Sequence, residues 1–166
     1  MSDLLDAAET ELLSSLRQET TIQLGPVTAR EAQRFAVACG DRDSIYFSHD
    51  AATEAGYTGL PVPSLYLSSV RSWDAGPWSE DLLADGTNPH DVGLPTTPGI
   101  RVLGGGQTLE FGSDLHVGEP VEATFRVSAV DRKQGRTGDL LVVTVERDYR
   151  RGDDLVLHCV ESRLLR

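Results

Sequence analysis

From Val121 to Ala129 the chain alternates without a break. Val121, Ala123, Phe125, Val127 and Ala129 are apolar, and Glu122, Thr124, Arg126 and Ser128 between them are polar or small. A period of two puts one set on each face of an extended strand. Such a strand cannot bury its apolar face alone, so it needs strand neighbours and a covering layer. The neighbours follow in the sequence. Gln107 to Phe111 begins the change of period, and Leu140 to Arg147 and Leu155 to Leu165 are rich in Val and Leu. Gly118-Glu119, Gln134-Gly135 and Gly152-Asp153 mark the turns between these runs. The last third therefore reads as an antiparallel meander.

The covering layer has to come from the first half, where the period is helical. Leu5, Ala8, Leu12 and Leu16 fall on one face of a helix over Leu4 to Arg17. Thr21 to Leu24 reads as a short strand ended by Gly25-Pro26. Thr28 and Glu31 form a capping box, Ala32, Phe35, Ala36 and Cys39 follow at helical spacing, and Gly40 ends the helix. Gly40 to Phe47 is turn-like, and Ala51 to Ala55 is one further helical turn. Pro61 and Pro63 sit before a helix over Ser64 to Trp73, whose mixture of Ser with Leu and Val suits deep burial against a sheet. Ala75 to Pro98, rich in Gly, Pro, Asp and Asn, is a long loop. The fold class expected is α+β, a curved antiparallel sheet wrapped around a central helix; another kind of α+β layer sandwich is the alternative. With 166 residues the chain suits one domain, read as a helical arm over residues 1–20 and a single domain over 21–166.

The net charge of -11 repels nucleic acid and anionic lipid. No apolar run approaches a membrane span. The acidic, amphipathic start is not a secretory signal, so the cytoplasm is the expected location. Cys39 and Cys159 sit in apolar stretches outside any CxxC pair, and both are expected as buried, reduced thiols. His90, His116 and His158 are scattered without metal-ligand spacing, so no metal is expected. His158 and its neighbour Cys159 should face opposite ways. Gly104-Gly105-Gly106 lacks the Lys-Ser or Lys-Thr of a phosphate loop and reads as a bulge or a close backbone approach.

The segment richest in chemistry is Gly40-Asp41-Arg42-Asp43-Ser44-Ile45-Tyr46-Phe47, with His49 just beyond. An acid at a helix end can be held rigidly; a solvated acidic turn is the other reading. The run from Arg34 through Gly40-Asp41 to Tyr46 resembles the signature of MaoC-like hydratases and dehydratases, a helix followed by Gly-Asp-x-Asn-Pro-x-His. Gly40, Asp41, Ile45 and Ala52 fit it. Asp43 stands where Asn is usual, Ser44 where Pro is usual, and Tyr46 where the family places its catalytic His. Gly59-Leu60-Pro61-Val62-Pro63 is similar to the approach to that family's central helix. Asp85-Gly86 to Pro95, Leu103 to Phe111, Leu115 to Pro120, Lys133 to Gly138 and Glu161 to Arg166 are similar to the N-terminal dehydratase domain of the fatty-acid-synthase type.

The resemblance implies a hotdog fold acting on enoyl or 3-hydroxyacyl thioesters of coenzyme A or a carrier protein, with no cofactor. It implies that Asp41 and Tyr46 take the catalytic positions and that the central-helix start at Pro63, Ser64 and Leu65 binds the substrate, with backbone N–H groups there polarising the thioester carbonyl. A Tyr is a poor base at neutral pH. His49, three residues on, is the candidate replacement, with a surface His before a helix as the other reading. Arg132, Lys133 and Arg136, at a hairpin tip, are candidates for the coenzyme phosphates, or else a solvated turn. Trp73 and Trp78 are candidates for an acyl pocket or a packed loop anchor. Domains of this type often lack the full catalytic pair and work beside a MaoC-like subunit that has it. An exposed sheet edge is usually paired or covered, so a dimer with sheets joined edge to edge is expected, either a homodimer or a heterodimer with such a subunit. The functions that remain are an enoyl-thioester hydratase or dehydratase, a non-catalytic partner that completes another subunit's pocket, and, more weakly, a hotdog thioesterase.

Overall fold

A computed structural model describes residues 2–69, 77–83, 86–88, 91–136 and 138–166. The first helix, α1, spans Ser2–Ser14 and is followed by strand β1, Glu19–Pro26. Helix α2 is Ala29–Cys39, a 3-10 turn covers Ser44–Tyr46, and α3 is His49–Glu54. A short α4, Tyr66–Ser69, precedes strands β2 (Val102–Phe111), β3 (Pro120–Gly135), β4 (Gly138–Arg151) and β5 (Asp154–Leu165). The strands form one antiparallel sheet in the order β1-β3-β4-β5-β2. This is the α+β hotdog arrangement.

The two-residue period decides which face is covered. Odd-numbered residues of β4 from Leu141 to Tyr149 are buried, and even-numbered ones are half-buried. Two apolar clusters form on that inner face. One gathers Val27, Ala32, Val62, Tyr66, Leu67, Val121, Ala123, Tyr149 and Leu157. The other joins Leu5, Ala8 and Leu12 of α1 to Val127, Leu141, Val143, Val145 and Leu165. The α1 helix is thus docked on the sheet, and Arg132 of β3 fixes it by ion pairs to Asp6 and Glu9.

Several expectations need correction. Strand β2 begins at Val102, earlier than the change of period suggested, because the glycine-rich stretch can extend without side chains. It pairs with β5 rather than with β3, so Gly118-Glu119 leads into β3 without closing a hairpin. Between Gly104 and Gly106 the register shifts, and a Cβ on Gly105 would lie 3.0 Å from the Ser162 carbonyl, so the glycines do mark a bulge with a close backbone approach. Cys39 is exposed while Cys159 is buried. Cys39 is the last residue of α2, next to the left-handed Gly40 cap, where the apolar face has run past its cover. His158 and Cys159 do face opposite ways, with His158 Nδ1 2.6 Å from Asp148 on the outer face. Among the described residues no helix is long and apolar enough to cross a membrane.

Candidate functional site

The Asp41 turn is fixed by local hydrogen bonds. At the start of α2 the Thr28 hydroxyl accepts from the Glu31 N–H at 3.3 Å, and Glu31 accepts from the Thr28 N–H at 2.8 Å. At its end Gly40 takes φ +74°, a conformation that other residues adopt only with strain, and the Asp41 N–H returns to the Ala36 carbonyl at 2.9 Å. Asp41 Oδ1 then accepts from the Asp43 N–H at 3.0 Å, and Asp43 Oδ1 from the Ile45 N–H at 3.1 Å. Gln33 of α2 donates to the Tyr46 carbonyl at 3.2 Å, which ties the turn back to the helix. One Asp41 carboxylate oxygen is thus used to shape the turn, and the side chain remains exposed.

Tyr46 is half-buried beside these carboxylates. Burial raises its phenol pKa, and the charges of Asp41, Tyr57 and Asp43 raise it further. The phenol therefore stays protonated at neutral pH, as a donor and not a base. His49 is exposed at the first position of α3 and is not among the groups acting on Tyr46.

The approach to α4 is pinned along the stretch before β3. The Val62 N–H donates to the Leu115 carbonyl at 2.8 Å, the Val117 N–H to Leu60 at 2.9 Å, and Pro61 bridges His116. Pro63 is buried, while Ser64 and Leu65 are exposed. The N–H groups of Ser64 and Leu65 make no hydrogen bond to a described residue, and the Pro63 carbonyl accepts from the Tyr66 N–H at 2.8 Å. Tyr57 stands edge-on to His116 with ring centroids 6.2 Å apart, linking the Asp41 turn to this helix start. His116 is held in turn by Glu119, which Arg151 pairs at 2.9 Å. Burial opposes the ionisation of Glu119, but bonds from the His116 backbone and Arg151 outweigh it and hold its carboxyl below the ordinary range. Sequence reading missed Tyr57 and His116, because their proximity depends on pairing of residues 60–62 with 115–117 and leaves no local pattern.

The other candidates lie apart. Arg132 and Lys133 are near the far end of β3 and Arg136 lies just past it, so that Arg132 is roughly 40 Å along the strand from its start at Pro120. Arg132 is engaged by Glu9, Asp6 and Asp139. Within one chain these residues are not brought to Asp41. Trp78 is 77% exposed and packs as no anchor. Trp73 and His90 lie outside the described residues, as do Val70 and the rest of the helix expected through Trp73. A cavity of about 370 Å³ opens between α1 and residues 91–96, and neither Asp41 nor Tyr46 lines it. Among the described residues no group of His, Cys, Asp and Glu could hold a metal ion.

Residues 18–158 match the family described as FAS1-like, dehydratase domain region. Among solved structures, a chain of the ChsH1-ChsH2 complex from Mycobacterium tuberculosis aligns with a TM-score of 0.66 at 21% identity, over 99% of this chain and 96% of that one. The MaoC-like dehydratase from Rhodospirillum rubrum aligns at 0.61 and 14% identity, over 90% of each chain. The (R)-hydratase from A. caviae involved in PHA biosynthesis aligns at 0.58 and 18%, over 88% of this chain and 92% of that one. At such identities the likeness is one of fold. No curated protein matches the sequence.

Proposed function

This chain belongs to the FAS1-like dehydratase domain region family, and from that premise we propose that it binds an acyl thioester and takes part in adding or removing water across an enoyl double bond. The observation that carries the proposal is the paired placement of Asp41 and Tyr46: an exposed carboxylate, fixed by a glycine-capped helix end, beside a phenol whose proton is held.

In the hydration direction the thioester carbonyl lies at the N–H groups of Ser64 and Leu65. These stabilise the negative charge that develops on its oxygen. The Asp41 carboxylate takes a proton from water as the water oxygen bonds to Cβ, and the electron pair of the double bond moves toward the carbonyl. Tyr46 donates a hydrogen bond to the water or to the carboxylate, and the proton that Asp41 took from the water is delivered to Cα, which completes the addition and restores the carboxylate. The reaction so written uses no metal or redox cofactor, because the carbonyl itself accepts the electrons. The coenzyme or carrier phosphates are not assigned to Arg132, whose guanidinium is already held by α1.

A second reading is favoured by Tyr46 itself. With a phenol in place of the family's His and its pKa raised, the chain lacks a neutral-pH base at that position. It then acts as the substrate-binding half of a heterodimer whose MaoC-like partner supplies the Asp and His pair. The ChsH1-ChsH2 and HadBC complexes are two-component assemblies on this fold. A panel of enoyl thioesters assayed by loss of the conjugated enoyl absorbance, with and without such a partner, separates the two. Turnover by this chain alone, abolished in Asp41→Asn, supports the first reading. Turnover only with the partner, insensitive to Asp41→Asn, supports the second.

A further inference from the structure

The inner face of the sheet carries a polar belt that the chemistry at Asp41 does not use. Arg147, Cys159, Glu161 and Arg163 lie between the two apolar clusters, and the three charged residues are 4%, 8% and 6% exposed. Glu161 takes Arg147 Nη2 at 2.5 Å and Arg163 Nε at 3.0 Å. Arg163 Nη1 donates to the Val92 carbonyl at 2.7 Å. Arg147 Nη2 also lies 3.4 Å from Cys159 Sγ, which reaches Gln107 Oε1 on the edge strand β2 at 3.7 Å.

Two donors in this belt have no acceptor among the described residues. Arg147 Nε and the Tyr149 hydroxyl are buried and find no hydrogen-bond acceptor among the described residues. They are two residues apart on β4 and share its inner face. Burial raises the Tyr149 pKa, and the charge of the Arg147 guanidinium and its contact with the phenol oppose that rise, so the phenol oxygen lies against Arg147 while its own O–H has no acceptor among the described residues. Leaving a buried donor unmet is unfavourable. Among the described residues the buried charges are two guanidiniums and one carboxylate, so the belt favours an acceptor oxygen over another donor. A plain alkyl chain would leave both donors unmet. Tyr149 also belongs to the apolar cluster of Val62, Tyr66 and Leu67, which is the segment placed at the thioester.

We propose that Tyr149 and Arg147 determine acyl specificity, selecting a thioester whose chain carries an oxygen acceptor, a keto or hydroxyl group, over an unsubstituted alkyl chain of equal length. The inference rests on the thioester-binding reading above. Its test is calorimetric binding of saturated, unreactive acyl-coenzyme A pairs to the full chain, with the oxygen at successive chain positions, for wild type and Tyr149→Phe. The variant keeps the ring that packs edge-on to Phe125. We expect one oxygenated thioester to bind the wild type about tenfold or more tighter than its alkyl counterpart, and Tyr149→Phe to remove that preference. Equal binding at every oxygen position, or a preference that survives in Tyr149→Phe, overturns the inference and leaves the thioester reading standing; the unmet donors then belong to a buried water site. If no acyl thioester binds the wild type, the thioester reading itself falls, and the inference with it.

Discussion

The Asp41 turn and the Arg147 belt are both polar, and they are built in opposite ways. The turn is made from residues within one stretch of about twenty, Thr28 to Tyr46, and its hydrogen bonds span at most thirteen positions. It is exposed, and its charges sit in water. The belt joins β4 to β5, β2 and residue 92, with Arg163 and Val92 71 positions apart, and it is buried. A polar group in water costs little whether or not it is paired, whereas a buried one depends on every partner. Changes in the belt should therefore register mainly in stability and specificity, and changes in the turn mainly in activity.

The largest effect is expected from Glu161→Ala, which leaves Arg147 and Arg163 buried with no buried carboxylate between them. Breaking a buried pair in this way costs about 3–5 kcal/mol, read as a fall in the urea midpoint. A cost under about 1 kcal/mol would show that water reaches the belt and would erase the contrast with the turn. Asp41→Asn should lower turnover by roughly a hundredfold in a preparation active on its own, with the urea midpoint nearly unchanged, since the side chain is exposed and Asn still accepts from the Asp43 N–H. Loss of activity together with loss of stability would make Asp41 a structural residue.

Gly93→Ala probes the packing beside the belt. Gly93 has φ +78°, and a Cβ there would overlap Val145 on the inner face of the sheet. A destabilisation of about 1–3 kcal/mol is expected from overpacking and strain, by thermal melting. The smallest effect belongs to the turn's helix. Thr28→Ala removes the capping box, at about 1 kcal/mol. The same box gives a pH signature. Hydrogen bonds from the Thr28 side chain and backbone hold the Glu31 carboxyl below its ordinary 4.5. A depressed folded pKa gives stability that is present above 4.5 and is lost as pH falls through the folded value. Wild type should thus lose stability on acidification below pH 4.5 more steeply than Thr28→Ala. Parallel acid profiles for the two proteins would remove Glu31 from the account.

Much of the turn was legible because its determinants are neighbours in sequence. The Thr28 and Glu31 box, the Gly40 stop and the position of Asp41 follow from local hydrogen-bonding chemistry and from glycine's access to positive φ. The alternation around Val121 likewise fixed which side of β3 is buried as far as Val127, but a bulge between Val127 and Ala129 sets Ala129 opposite the outer-facing Thr144 and brings Val130 to the inner face opposite Val143. The same local logic misjudged Cys39, since periodicity gives the direction of a helix face but not how far its cover extends.

What the sequence by itself determined is the set of elements, their buried faces and the capped acid at the end of α2, all consequences of hydrogen bonds and periods within about ten residues. Tertiary structure alone decided that β2 lies against β5, that Tyr57 meets His116, that Arg132 is spent on α1 and that Arg147, Glu161 and Arg163 share one buried belt. In the sequence an arginine on a strand is only a polar residue breaking an apolar run. Strand register sets Arg147 opposite Cys159 and Val145 opposite Glu161, and register is chosen by the burial of the whole face, a property that no short stretch contains.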